Sequence, residues 1–295
     1  MEKYSGIDVS KWQGRIDWSL VKNDGVQFAM IRSTFGWGKG SEDFLFETNY
    51  EKAKKVDMPV GVYHYSYART PEEAVKEADF CYSVIKGKKF EYPVAYDMEE
   101  SGVASLGKER VSAIAKAFCE RMQSYGYYVC IYANKHWLEN YFTDEIFEKY
   151  DIWLAQWTTR PDFNRVYGMW QKSSKGRVAG INGYVDLNEA YKNYPSIMKY
   201  NGLNGYEKTQ IKPQKHDKKP EKKVYKAGEV ITLKEEKLYA SATLTKESKI
   251  ISGDYYVYDG KFFNGRIRIT NLRGNVGRKP IGNFVTGYIK VSDTE

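Results

Sequence analysis

Residues 1–195 alternate short apolar runs with amphipathic stretches, and this alternation constrains the fold more than any other feature. The runs predict strands at 5–9, 27–33, 59–68, 92–98, 127–132, 151–156, 168–171 and 184–187. Capping signals predict helices between the earlier strands, at 17–25, 44–55, 70–86 and 108–125. Repeated strand–helix units give parallel strands with right-handed crossovers. About eight strands, with little helix between the last three, predict an irregular TIM-like (β/α) barrel whose last helices are shortened or lost.

The composition of the chain changes after this region. Residues 1–195 hold 26 Lys or Arg against 27 Asp or Glu and contain all seven tryptophans, whereas residues 196–295 hold 20 against 11. Residues 196–223 are rich in Lys and Pro and offer little to bury, which predicts a linker. Residues 224–295 are rich in Val, Ile, Thr and Tyr, with turn signals at 252–254, 259–260 and 264–265. We therefore expect three parts: a barrel in 1–195, a linker in 196–223 and a small all-β domain in 224–295.

Four carboxylates lie at or near the ends of predicted barrel strands. Asp8 belongs to the first strand, Asp97 and Glu99 to the fourth, and Asp186 to the last. Because barrel chemistry lies at the C-terminal strand ends, we expect these side chains to meet there. Asp97 and Glu99 are two residues apart, so a strand would point both the same way. Crowded carboxyls titrate as a coupled pair, and one can stay protonated beside an ionised neighbour, as glycoside cleavage requires.

Aromatic and amide side chains accompany these acids. Sugar rings pack their apolar faces on aromatic rings, and amides bind their hydroxyls. The alternative for each aromatic is a place in the core of an aromatic-rich domain. The candidates for substrate binding are Trp12, Tyr63, Tyr65, Tyr132, Asn134, Gln156 and Trp157.

Several classes of protein are disfavoured by composition. Cys81, Cys119 and Cys130 show no CxxC spacing, and the chain has only three histidines, so we expect buried thiols and neither metal nor cofactor. The mean hydropathy of −0.65 and the lack of a long apolar run argue against membrane insertion. The first residues lack the apolar core of a signal peptide, from which we expect a cytoplasmic protein.

Five motifs, in order along the chain, resemble those of glycoside hydrolase family 25, the Chalaropsis-type lysozymes (N-acetylmuramidases) of bacteria and their phages. They are Gly6-Ile-Asp-Val-Ser-Lys-Trp-Gln-Gly14, Gly61-Val-Tyr-His-Tyr-Ser66, Asp97-Met-Glu99, Ile131-Tyr-Ala-Asn134 and Leu154-Ala-Gln-Trp157. The resemblance covers roughly residues 4–195. It implies a flattened barrel of five βα units followed by β-rich strands, and hydrolysis of the β-1,4 bond between N-acetylmuramic acid and N-acetylglucosamine.

The resemblance also implies roles for the acids. Glu99 would be the general acid that protonates the leaving oxygen. Asp97 would orient the substrate's 2-acetamido group for attack on the anomeric carbon, or attack directly, and the sequence leaves both open. Asp8 and Asp186 would hold the polarity and hydrogen-bond network of the site.

The C-terminal part resembles the cell-wall-binding domains of phage endolysins, which are often SH3-like. Together with the cytoplasmic expectation, this favours an endolysin that stays in the host cytoplasm until the membrane opens and then degrades a Gram-positive wall. The expected partners are peptidoglycan and associated wall polymers; neither nucleic acid nor a membrane is expected. Alternatives are an autolysin of the same activity, a chitinase-like hydrolase, an inert peptidoglycan-binding barrel and a nucleic-acid binder. Chitinases need aspartates where this chain has Ala95 and Tyr92, and the lysines of 196–223 are ordinary for a solvated tether.

Overall fold

The structure is a computed structural model that describes residues 3–208, 225–242, 247–263 and 265–291. The chain folds into two compact units, residues 1–210 and residues 211–295. Across the described ranges, every helix is too short or too polar to cross a bilayer.

The first unit is a closed barrel of eight strands in chain order. The strands are β1 (Tyr4–Val9), β2 (Phe28–Phe35), β3 (Val60–Tyr65), β4 (Val94–Asp97), β5 (Val129–Asn134), β6 (Asp151–Ala155), β7 (Met169–Gly176) and β8 (Val185–Ala190). Strands β1 to β7 pair in parallel, whereas β8 runs antiparallel to both β7 and β1. This confirms the prediction of an irregular TIM-like barrel with a β-rich end.

Helices follow the earlier strands, and capping side chains mark the first residues of some of them. They are α1 (Trp18–Asn23), α2 (Phe46–Lys55), α3 (Pro71–Ile85), α4 (Ser101–Ala104), α5 (Lys108–Ser124), α6 (Lys135–Asn140), α7 (Asp144–Lys149) and α8 (Tyr194–Asn201). Asp17 caps α1 by accepting from the backbone N–H groups of Ser19 and Leu20, and Thr70 caps α3 by accepting from that of Glu73.

Alternation along the strands builds two apolar layers. On β2, Phe28 and Met30 belong to the cluster inside the barrel, and Ala29 and Ile31 to the cluster beneath the helices. A Cβ atom on Gly6 would lie 2.3 Å from the Phe28 ring, so only glycine fits where β1 passes this side chain. The three cysteines are free and buried, as predicted.

The predicted barrel boundary at residue 195 falls inside α8. Tyr194 and Met198 of this helix are fully buried in the interior cluster. Beyond it, the buried Asn204 accepts from the Tyr128 N–H and donates to the Tyr92 carbonyl, both at 2.7 Å, just before β5 and β4 begin. The first unit therefore needs residues past 204. The rest of the predicted linker, 209–223, lies outside the described residues.

The second unit is a closed four-stranded antiparallel barrel. Its strands are β9 (Val230–Tyr239), β10 (Lys249–Phe263), β11 (Arg266–Thr270) and β12 (Gly287–Lys290). The all-β prediction is confirmed, but two predicted turns are not hairpin turns. Residues 252–254 and 259–260 lie inside β10, where register shifts occur and Gly253 and Gly260 have positive φ. Glycine signals a bulge there rather than a chain reversal.

Candidate active site

A cavity of about 270 Å³ opens at the C-terminal ends of the barrel strands. It brings together all four predicted acids and four of the seven predicted binding residues. Its lining residues are Asp8, Ser10, Trp12, Gln13, Arg32, Tyr63, Tyr65, Asp97, Glu99, Tyr132, Trp153, Gln171 and Asp186. We call it the carboxylate cavity.

Asp97 and Glu99 face this cavity from different backbone settings. Strand β4 ends at Asp97, so Glu99 lies in the segment beyond it; both residues line the cavity, whereas Met98 packs in the cluster beneath the helices. Burial, then the charges of Glu99 and Asp8, raise the pKa of Asp97 well above its usual range, with Arg32 acting in the opposite direction. Burial, then the charges of Asp186 and Glu100, raise the pKa of Glu99. Burial and the neighbouring carboxylates therefore shift both members of this pair toward their protonated forms.

Asp8 and Asp186 form a second acidic pair. They are register partners across the antiparallel β1–β8 ladder, which places them side by side. Burial is the main cause that raises the pKa of Asp8 to about 8, followed by the charge of Asp186. Burial also raises the pKa of Asp186, and the hydrogen bond between the two carboxyls opposes that rise. With a pKa of about 8, Asp8 keeps its proton at neutral pH and can donate it to Asp186.

Two buried amides hold Asp8. Gln171 Nε2 donates to Asp8 Oδ2 at 3.0 Å, and Asn188 Nδ2 donates to the same oxygen at 2.8 Å. Each amide oxygen is in turn a hydrogen-bond acceptor: Gln171 Oε1 accepts from the Tyr132 hydroxyl at 3.0 Å, and Asn188 Oδ1 accepts from Trp153 Nε1 at 2.9 Å. Since both ends of each amide are bonded, this network fixes Asp8 in one orientation.

Hydrogen bonds to Glu77 of helix α3 fix the backbone next to Asp97. The buried Glu77 accepts from the Tyr96 hydroxyl at 2.6 Å and from the Tyr67 N–H at 2.7 Å. The Ser66 N–H donates to the Asp97 carbonyl at 3.0 Å. Glu77 thus ties the end of β4 to the segment after β3. Asp97 Oδ1 itself is buried and has no hydrogen-bond partner among the described residues.

Residues 7–181 match the family model of glycosyl hydrolases family 25, which is more than half of the chain. The chain belongs to this family. An autolytic lysozyme of Clostridium acetobutylicum is 28% identical over 185 residues, covering 62% of this chain and 55% of that protein.

Solved structures of two wall-lytic proteins are similar to this barrel. The autolysin LytC of Streptococcus pneumoniae, in complex with a synthetic peptidoglycan ligand, has a TM-score of 0.59 at 25% identity and covers 64% of this chain and 47% of LytC. The catalytic domain of endolysin ply40, from bacteriophage P40 of Listeria monocytogenes, has a TM-score of 0.56 at 26% identity and covers 69% and 98%. This chain therefore spans about half the length of the autolytic lysozyme and of LytC.

In this family 25 barrel, the predicted aromatic residues differ in their exposure and in whether they line the cavity. Trp12 is 77% exposed at the cavity, Tyr63 and Tyr65 are half-buried, and Tyr132 is buried. Trp157 is 65% exposed and does not line the cavity, although its Nε1 donates to Gln171 Oε1 at 3.0 Å.

Two of the predicted sugar-binding residues, Asn134 and Gln156, do not line the carboxylate cavity. Asn134 caps α6, where its Oδ1 accepts from the Trp137 N–H at 3.0 Å. The Gln156 side chain bonds to Asp162 instead, through both its amide nitrogen and its oxygen. Both side chains make local hydrogen bonds instead, and the amide side chains that line the cavity are those of Gln13 and Gln171.

Sequence reasoning missed Arg32 as well as Gln171 and Asn188. Arg32 lies on β2, and its guanidinium is 2.9 Å from the buried carboxylate of Asp43, which also accepts from the Lys11 N–H. An arginine that follows four apolar residues in a buried strand was the available signal, because a charge there needs a buried partner. The amides gave no such signal, since they come from the two closing strands, far from Asp8 in sequence.

Proposed function

We propose that this chain is an N-acetylmuramidase that hydrolyses the β-1,4 bond between N-acetylmuramic acid and N-acetylglucosamine in peptidoglycan. The observation that carries the proposal is the carboxylate cavity of a family 25 barrel, in which Asp97 and Glu99 both have raised pKa values. A carboxyl that keeps its proton near neutral pH can serve as a general acid. Exposed Trp12 and half-buried Tyr63 provide flat apolar surfaces for sugar rings.

Glu99 is the general acid in this proposal. It is the more exposed of the two carboxyls, so it can reach a glycosidic oxygen that enters from solvent. Its proton passes to that oxygen as the bond to the anomeric carbon breaks, and the released sugar leaves with a new hydroxyl. The resulting carboxylate then takes a proton from the water that completes hydrolysis.

Asp97 assists attack on the anomeric carbon. Its buried, unpartnered Oδ1 is an acceptor that a substrate N–H can satisfy, and the 2-acetamido group carries such an N–H. Accepting this bond would direct the acetamide oxygen toward the anomeric carbon, and direct attack by Asp97 is the other route. Asp8 and Asp186 hold the neighbouring polar network, with Gln171 and Asn188 fixing Asp8.

The second unit is proposed as a cell-wall-binding domain that keeps the enzyme on its insoluble substrate. Residues 224–295 hold 12 Lys or Arg against 8 Asp or Glu, a charge that favours anionic wall polymers. Tethering of this kind raises the local enzyme concentration. We propose that the whole chain acts as a phage-type endolysin on a Gram-positive wall; the similarity to an autolytic lysozyme makes an autolysin the second candidate.

The test is lysis of purified Gram-positive cell walls by wild type, Glu99→Gln and Glu100→Gln. The two variants remove one carboxylate each from adjacent residues, but only Glu99 lines the carboxylate cavity. Loss of a general acid costs about 10²–10⁴-fold in rate, and we expect this of Glu99→Gln alone. Lysis by Glu99→Gln within a few-fold of wild type, at unchanged melting temperature, would remove Glu99 from its role.

A further inference from the structure

A second pocket of about 250 Å³ lies beside the carboxylate cavity. Its lining residues are Lys11, Trp12, Arg32, Phe35, Tyr65 and Tyr67. Trp12, Arg32 and Tyr65 line both spaces, so the two are adjacent. We call it the lysine–aromatic pocket. A ligand in this pocket would therefore lie next to a glycan bound in the carboxylate cavity, or would be part of that glycan.

The charge in this pocket comes from Lys11. Its Nζ lies 5.2 Å from the centroid of the Trp12 ring and 5.5 Å from that of Phe35. Within the described ranges, no carboxylate is within 4.0 Å of this ammonium group, whereas Arg32 is paired with Asp43 at 2.9 Å. The Lys11 backbone is fixed, since its N–H donates to Asp43 and the following turn is closed by Ser10. A held cation on aromatic rings is suited to an anionic group.

The walls of the pocket are flat and apolar. Tyr65 and Tyr67 lie against each other with ring centroids 5.1 Å apart, and Tyr67 is 48% exposed. Phe35 is half-buried beneath the cations of Lys11 and Arg32. The nearby acid Glu100 accepts from the Tyr65 hydroxyl at 3.3 Å but does not line the pocket. The pocket therefore fits a ligand with small aliphatic parts and a carboxylate.

We propose that the lysine–aromatic pocket binds the carboxylate-bearing peptide branch of the glycan strand that occupies the carboxylate cavity. This inference rests on the proposed function and deepens it. The muramic acid of peptidoglycan carries a short peptide with small aliphatic side chains and free carboxylates, which matches both surfaces of the pocket. Because the branch is covalently linked to the sugar, the adjacency of the two spaces favours it over a separate molecule. Lys11 would then set a preference for strands whose peptide carboxylates are free.

The experiment compares two peptide-bearing glycan oligomers of equal length, one with free peptide carboxylates and one with these carboxylates converted to amides. kcat/KM is measured for wild type, Lys11→Met, Lys11→Arg and Lys86→Met. Lys86 is the control because it is an exposed lysine after α3, before β4 begins, whereas the pocket lies at the other end of the strands. Melting temperatures show that each variant is folded.

We expect wild type to prefer the free-acid oligomer by about fivefold, the size of one partly exposed charge pair. Lys11→Met should lose this preference while cleaving the amidated oligomer like wild type, and Lys11→Arg and Lys86→Met should keep it. Equal cleavage of both oligomers by wild type, or a preference that survives in Lys11→Met, overturns the inference and leaves the muramidase proposal intact. A Lys11-dependent preference only for strands bearing a glycerol-phosphate polymer assigns the pocket to phosphate and also overturns it. No cleavage of either oligomer by wild type contradicts the proposed function itself.

Discussion

Replacing Asp8 by Asn is expected to stabilise the barrel increasingly as the pH rises. Burial and the charge of Asp186 raise the pKa of Asp8 from 3.8 to about 8. Between these values the folded state holds a proton that the unfolded state has released, so stability falls as pH increases. Each pH unit costs about 1.4 kcal/mol, which amounts to about 4 kcal/mol at pH 7 relative to pH 4.

The Asn side chain reproduces the protonated acid. Its oxygen can accept from Gln171 and Asn188 in place of Asp8 Oδ2, and its NH₂ group can donate to Asp186 as the acid proton does. The variant therefore keeps the network but has no proton to lose. Between pH 5 and pH 7, its stability advantage over wild type should grow by about 3 kcal/mol. For a barrel of this size, that corresponds to about 10 °C in Tm.

Tryptophan fluorescence during denaturant unfolding reports on the first unit, because all seven tryptophans lie between Trp12 and Trp170. Unfolding free energies would be measured at pH 5, 6 and 7 for wild type, Asp8→Asn and Asp57→Asn. Asp57 is exposed and has a positive φ that Asn also tolerates, so its variant should run parallel to wild type. Parallel curves for Asp8→Asn and wild type would refute the reasoning about the buried carboxyl.

Three further predictions concern the same barrel and its boundary. Asp97→Asn should reduce turnover of wall fragments by about 10²-fold or more while their binding, measured calorimetrically, persists. Gln171→Leu should cost about 2 kcal/mol of unfolding free energy, because the buried Tyr132 hydroxyl and Asp8 each lose a partner, and lysis should slow with it. A fragment of residues 1–208 should fold and cleave soluble glycan. A fragment of residues 1–195 should not fold stably, because it lacks the buried Met198 and Asn204.

Each of these has a clear contrary result. Equal loss of binding and turnover in Asp97→Asn would mean that the residue only shapes the cavity. Unchanged stability of Gln171→Leu would show that the amide network does not hold Asp8. Cooperative unfolding of residues 1–195 at the temperature of residues 1–208 would restore the boundary predicted from composition. A fusion of residues 225–291 to a fluorescent protein that ignores susceptible walls would contradict the wall-binding proposal.

The sequence predicted the barrel because its signals are local. Buried strands are continuous apolar runs, and helix starts such as Asp17 and Thr70 carry side chains that accept from the next turn. The positions of the four acids at strand ends were enough to predict that they share one cavity. The same kind of local signal explains Asn134, whose side chain caps α6 by accepting from the Trp137 N–H.

The amide network around Asp8 and the end of the first unit could not be predicted, because both depend on contacts between residues far apart in the sequence. Gln171 and Asn188 are 163 and 180 residues from Asp8, and only the antiparallel last strand brings them together. The boundary after residue 204 was missed for a similar reason. Asn204 is polar and looks like linker, but its amide satisfies backbone groups of Tyr92 and Tyr128 that the barrel leaves open.

The identity of the new reducing ends tests the proposed reaction most directly. Purified Gram-positive cell wall would be digested with the full chain, reduced with borohydride and analysed by mass spectrometry, with Glu99→Gln as the inactive control. A muramidase cleaves on the muramic acid side, so we expect reduced N-acetylmuramic acid at every new end and none in the control. Reduced N-acetylglucosamine at those ends would contradict the assigned bond and the roles given to Asp97 and Glu99.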